Sequence, residues 1–213
     1  MHRLRLELQR RAGHLGAAQA LSPRRRAAGF TLVELMVTVV LVGILATLAY
    51  PSFSSFIQNG QIRASAESVM SGLQLARAES IRRNEVVEFR LHNTLHGAAV
   101  PGGTDWSVLV ALPETPTVFD QVVQARQEDS SSSLARAGVG STAGAASAAP
   151  GAGLPANIAF TGIGRLSIGT AVRQIDVTGP GQTRPLRIVL DPGGDIRLCD
   201  PALSIAINPQ GCA

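Results

Sequence analysis

From Phe30 to Ala49 the chain runs for twenty residues with a single ionisable side chain, Glu34. At about 1.5 Å of rise per residue, a helix of that length spans roughly 30 Å, the hydrocarbon thickness of a bilayer. No other feature limits the fold as much. A helix that is apolar all round has no face to offer water, so lipid or protein must cover it. Arg24, Arg25 and Arg26 come immediately before the run, and Tyr50 and Pro51 close it. The positive-inside rule then puts the N-terminus in the cytoplasm and everything after Tyr50 outside. Tyr50 suits a membrane interface, and Pro51 predicts a helix kink.

Two ordinary explanations fall short. A secretory signal has an apolar region of about 7–15 residues and ends in a small-x-small cleavage site. This run is longer, and Leu48 interrupts the only candidate site, around Ala46 and Ala49. A plain single-span anchor accounts for length and orientation but leaves Glu34 without a purpose. A charge at depth costs about 2.5–3.5 kcal/mol on insertion scales, so an ionisable residue there implies a function and a partner.

The charge balance supports a division at residue 29. The chain has 19 Arg and no Lys; residues 1–29 carry seven Arg and one Glu, whereas residues 30–213 are net −2. The high isoelectric point therefore describes the first 29 residues, and a general polyanion-binding reading of the remainder fails. The two cysteines, Cys199 and Cys212, lie close together near the C-terminus. Even count, short spacing and an upstream membrane segment predict a disulfide in an oxidising compartment, with two free buried thiols as the alternative. Such a ring contributes about 3 kcal/mol on the loop-entropy argument.

The stretch "GFTLVELMVTVVLVGILATLAYPSF" resembles the N-terminal signature of type IV pilins and type II secretion pseudopilins. The resemblance implies cleavage by a prepilin peptidase between Gly29 and Phe30, then N-methylation of Phe30. It makes Glu34 the acidic residue that pairs with the N-terminal amine of a neighbouring subunit during assembly. It makes Pro51 the helix-kinking proline and puts Gly43 where the helix loosens in assembled filaments. A 29-residue leader is long for this class; a start codon downstream of Met1 would explain it equally well.

Ser52 to about Arg83 reads as the amphipathic continuation of the helix, with Ala66, Val69, Met70, Leu73, Ala76 and Ile81 on one face. Asn59-Gly60 marks a bend. "GLQLARAESIRRN", residues 72–84, resembles a segment of the GspH/FimT-like (FimU-like) minor pilins. Alternation and turn punctuation then predict strands at 85–92, 105–112, 119–125, 157–160, 165–169, 171–178, 185–190 and 195–199. Residues 130–153 are dominated by Ser, Ala and Gly and read as a flexible loop. The expected fold is α+β and type IV pilin-like: one long N-terminal helix, its first half in the membrane, packed on an antiparallel β-sheet head. The expected divisions are a leader at 1–29, a membrane and assembly helix at 30–50, its amphipathic half at 51–83, and a periplasmic head at 84–213.

Sites for chemistry are sparse. His92 and His96 have a helical metal-ligand spacing, but they flank a strand end with no carboxylate or thiol cluster nearby. Gly162-Ile163-Gly164 has no following helix and reads as a turn. No nucleophile–base arrangement stands out, so no enzyme activity, metal or cofactor is expected. In some relatives a Gly-Arg-x-Arg motif before the first C-terminal Cys contacts DNA. The matching positions here are Gly194, Asp195, Ile196 and Arg197, and Asp195 would repel phosphate. Arg187 and Arg197, with Arg165, Arg173 and Arg184, remain candidate DNA contacts. The functional expectation is a minor pilin in the initiation or tip assembly of a type IV pilus, whose partners are the prepilin peptidase, other pilins or pseudopilins, and the inner membrane. The alternatives are a type II secretion pseudopilin and a DNA-uptake minor pilin.

Overall fold

The computed structural model describes residues 29–92, 102–112, 115–127, 134–181 and 183–212. The chain falls into two units, residues 1–46 and 47–213. One helix, α1 (Leu32–Arg83), contributes to both. In the first unit Gly29 to Thr31 precede the helix, and every described side chain is exposed.

The second unit is α+β. The remainder of α1 is followed by strands β1 (Val87–Leu91), β2 (Trp106–Leu112), β3 (Thr115–Arg126), β4 (Arg136–Gly140), β5 (Ala156–Phe160), β6 (Gln174–Thr178), β7 (Leu186–Leu190), β8 (Ile196–Ser204) and β9 (Gly211–Cys212). These form a four-stranded sheet, β3-β2-β1-β5, and a five-stranded sheet, β4-β6-β7-β8-β9. All pairings are antiparallel except β8 with β9.

Period 3.6 on α1 meets period 2 on the strands. Val69, Leu73 and Ala76 bury against Val87, Phe89 and Leu91 of β1, Trp106, Val108 and Val110 of β2, and Ile175 and Ile188 of the second sheet. A smaller cluster joins Ile62 and Ala66 to Ala135 and Val177. Each large apolar side chain buried in this way contributes about 1.5–3 kcal/mol. Gly72 sets the closest approach of helix to sheet. A Cβ there would lie 2.7 Å from Phe89 and 2.8 Å from Trp106, so only glycine lets the helix seat at this depth. Trp106 is fixed at both ends: its ring tilts against Phe89 at 5.8 Å between centroids, and its Nε1–H donates to Ser68 Oγ at 3.0 Å.

The helix stops where its chemistry runs out. Asn84 adopts φ 53°, and the amides of Asn84 and Glu85 donate to the carbonyls of Ile81 and Ser80. That pattern satisfies two orphan carbonyls of the last turn. Arg82 and Arg83 add positive charge at the negative end of the helix.

Several expectations are corrected. Ile81 is 52% exposed and does not belong to the buried stripe, because the helix face has rotated toward Ser80, which is wholly buried. No strand covers 165–169. Only Leu166 bridges, to Phe160, and the chain then turns at Ile168. The strand expected at 171–178 begins at Gln174. Residues 134–153 are not a bare loop: they supply β4, whose Ala137 and Gly138 are buried, and a segment folded back against it. Small side chains here permit close backbone packing, which composition alone reads as lack of structure.

Candidate assembly site

The start of α1 is built by Thr31. Its Oγ1 accepts the Glu34 N–H at 3.1 Å, and its carbonyl accepts the Leu35 N–H at 3.1 Å. Thr31 is therefore the N-cap, and Glu34 is the third helical residue, the spacing of a capping box. The carboxylate lies in the first turn, where the helix dipole favours negative charge. Thr31 was legible in the sequence as Thr-x-x-Glu ahead of an apolar run.

Around this carboxylate the surface is apolar. Phe30 is 81% exposed, and Leu32, Val33, Leu35, Met36, Val37, Val39, Val40, Leu41 and Val42 are exposed as well. Nothing lies within 4 Å of the Cβ positions of Gly29 or Gly43. The helix is continuous in backbone through Pro51. Residues 1–28 of the expected leader lie outside the described residues.

The other singled-out residues fall elsewhere. Cys199 and Cys212 form a disulfide, joining β8 to β9. Arg187, a candidate DNA contact, is buried; its Nε donates to Asp176 Oδ1 at 2.6 Å, and its Nη2 donates to Ser147 Oγ at 3.2 Å. With segment 141–153 in place, this guanidinium is held between a carboxylate and a hydroxyl inside the protein and is closed to a phosphate. Arg197 is partly buried on β8, opposite Val189. Arg173 turns back to the carbonyls of Thr170 and Val172. Gly194, at the start of the Gly-Asp-Ile-Arg stretch, has φ +91°, and a Cβ on it would run into the Gly164 carbonyl, which also accepts Arg77 Nε at 3.1 Å. This glycine joins two turns to the helix, a structural duty independent of nucleic acid.

His92 Nε2 lies 3.1 Å from Ser107 Oγ. Burial lowers its proton affinity, Asp105 opposes that and Arg90 adds to it. His96 lies outside the described residues. Among the described residues no three His, Cys, Asp or Glu side chains are grouped as a metal site would need.

Residues 24–50 match the family model for the prokaryotic N-terminal methylation motif. Residues 65–194, more than half of the chain, match the family model for type II transport protein GspH. The type IV major fimbrial protein FimA of Dichelobacter nodosus is 40% identical over 57 residues, which is 27% of this chain and 35% of FimA. A fimbrial protein of the same organism matches to the same extent. The chain spans about a third of the length of the curated relatives it matches. Among solved structures, the Pseudomonas aeruginosa (strain PAO1) type IV minor pilin FimU is similar with a TM-score of 0.47 and 16% identity, covering 74% of this chain and 99% of FimU. E. coli GspH is similar with a TM-score of 0.41 and 15% identity, covering 68% of this chain and 91% of that chain.

Proposed function

The chain belongs to the GspH family of type II transport proteins and is a minor pilin or pseudopilin in kind; from that premise we propose that it takes part in initiation or tip assembly of a type IV pilus. In this reading a prepilin peptidase cuts between Gly29 and Phe30 and Phe30 is N-methylated. The chain crosses the inner membrane once, N-terminus in the cytoplasm and head in the periplasm. The Cys199–Cys212 disulfide supports an oxidising location for the head.

The observation that carries the reading is the surface of α1 from Leu32 to Tyr50: every side chain is exposed, nearly all are apolar, and one carboxylate stands in the capped first turn. Lipid covers such a surface before assembly, and neighbouring helices cover it afterwards. Cleavage creates a positive amine on Phe30. In a filament that amine on one subunit is the partner for Glu34 on the next. Coulomb attraction is strong where water is excluded, and pairing leaves neither charge alone in an apolar setting. Glu34 then fixes register between subunits.

Mass spectrometry of the filament fraction tests the processing: N-methyl-Phe30 is expected, and an intact Met1 terminus overturns it. Glu34→Ala should still be cleaved, yet enter filaments about tenfold less, as expected for losing a contact of about 1.4 kcal/mol. Normal incorporation would remove the pairing role. A second reading, a pseudopilin of a type II secretion system, is favoured by the match to the GspH family model. Deletion separates the two: loss of pili supports the first, and loss of protein secretion with intact pili supports the second.

A further inference from the structure

The Ser/Ala/Gly-rich segment 141–153 lies against the outer side of the second sheet, and what holds it there is unusual. No residue between 141 and 153 is among the described buried apolar side chains. The hydrophobic effect therefore supplies little of its attachment. Polar contacts do the holding. Ala148 N–H donates to Asp176 Oδ2 at 2.8 Å, Gln174 Nε2 donates to Ala146 O at 3.1 Å, and Arg187 Nη2 donates to Ser147 Oγ at 3.2 Å. Along β4, Val139 N–H donates to Ala152 O at 2.9 Å, and Gly151 N–H donates to Ala137 O at 2.8 Å.

The side chains beneath are a buried polar row. Gln174 and Asp176 are wholly buried and Arg187 nearly so, while Ile175, Val177 and Ile188, neighbours in sequence, belong to the apolar core. β4 faces this row with Gly138 opposite Asp176 and Gly140 opposite Gln174. A Cβ on Gly138 would collide with the Ala149 carbonyl. Gly138 makes room for the strap backbone, Gly140 makes room for the Gln174 side chain, and the polar row is spaced to hold the strap.

We propose that residues 141–153 form a latched strap that opens as a unit while the rest of the head stays folded, the latch being the Asp176–Arg187 pair with Gln174. Lifting the strap uncovers a single apolar side chain, the half-buried Val139 beneath Gly153; the other groups it covers are polar. It leaves Asp176 and Arg187 paired with each other and returned to water, so opening lacks the penalty of a broken buried pair. The apolar core on the other side of β6 and β7 is untouched, which makes this a local opening well below global unfolding.

Hydrogen exchange of the full chain in detergent micelles, read by mass spectrometry on resolved peptides, tests this. Peptides across 141–153 should exchange about tenfold or more faster than those across β6 and β7, yet slower than an unstructured peptide. Gly138→Ala pushes the strap off without touching the ion pair. It should speed strap exchange by about a further tenfold, the scale of one charge-assisted hydrogen bond lost, and leave β6 and α1 unchanged. Asp176→Asn should do the same if it folds; if it does not, Gly138→Ala decides. Strap exchange at the rate of β6, or at the rate of an unstructured peptide, would overturn the proposal. So would loss of protection throughout the head in Gly138→Ala.

Discussion

Leu41 and Leu73 lie on the same helix, yet Leu41 is 55% exposed and Leu73 is wholly buried. Around Leu41 the helix is apolar on every side, and every described side chain from Leu32 to Tyr50 is exposed. Around Leu73 it is two-faced, with Val69, Leu73 and Ala76 inward and Gln74, Glu67 and Arg63 outward. Stability of the head is written into the second stretch. The first stretch presents its apolar side chains outward, where their burial depends on a surrounding medium. Apolar content is therefore a poor guide to where a fold is held together; the guide is whether apolar side chains are presented to one another.

The comparison breaks most readily with a matched pair of substitutions. Leu73→Ala should destabilise the head by about 2–5 kcal/mol, and Leu41→Ala should change it by less than about 0.5 kcal/mol. Urea unfolding of the full chain in micelles measures both, and equal losses would mean the first stretch packs on the head after all. Trp106→Phe is a finer probe of the second stretch. It keeps most of the ring but removes the donor to Ser68, and should cost about 1 kcal/mol. A loss near zero would show that Ser68 finds another partner.

The smallest effect concerns the exposed end of the helix. Hydrogen bonds from Arg82 and then Arg83 hold the Glu79 carboxyl down to about 2 from its ordinary 4.5. A depressed carboxylate stabilises the fold above its unfolded pKa, and the benefit is lost as pH falls through the folded value. Glu79→Gln should therefore be slightly less stable than the parent at pH 6, and the difference should close between about pH 4.5 and 2. Salt screens a pair of this kind, so the difference should shrink as ionic strength rises. A difference that grows with acid would reverse the assignment.

The features that could be read from the sequence were those with a local cause. The apolar run, the stripe through Ala66, Val69 and Leu73, and the alternation in β1, β2, β5 and β7 each follow from a short-range periodicity. The disulfide was legible from count and spacing. Features that depend on a distant partner were misread. Ile81 has the right spacing for the stripe, but the inward position in that turn is taken by Ser80. Residues 165–169 alternate like a strand, but only Leu166 finds a neighbour. Arg187 is a cation in a β-strand, and nothing nearby in sequence announces Asp176 eleven residues earlier as its partner. In the candidate assembly site, Glu34 stands out as the one charge in an apolar run, while the N-cap Thr31 is carried by the Thr-x-x-Glu spacing.

By itself the sequence determined that this chain has one long apolar helix with a single acidic residue near its beginning, an amphipathic continuation and a strand-rich remainder, because hydrophobic periodicity is carried by residues a few positions apart. Tertiary structure alone decided which glycines are spacers, which arginine is buried, and that a run of Ser, Ala and Gly becomes a docked strap. Those outcomes depend on what lies across the sheet. A small side chain is compatible with disorder and with the closest packing a backbone can make, and only the opposing surface selects between them.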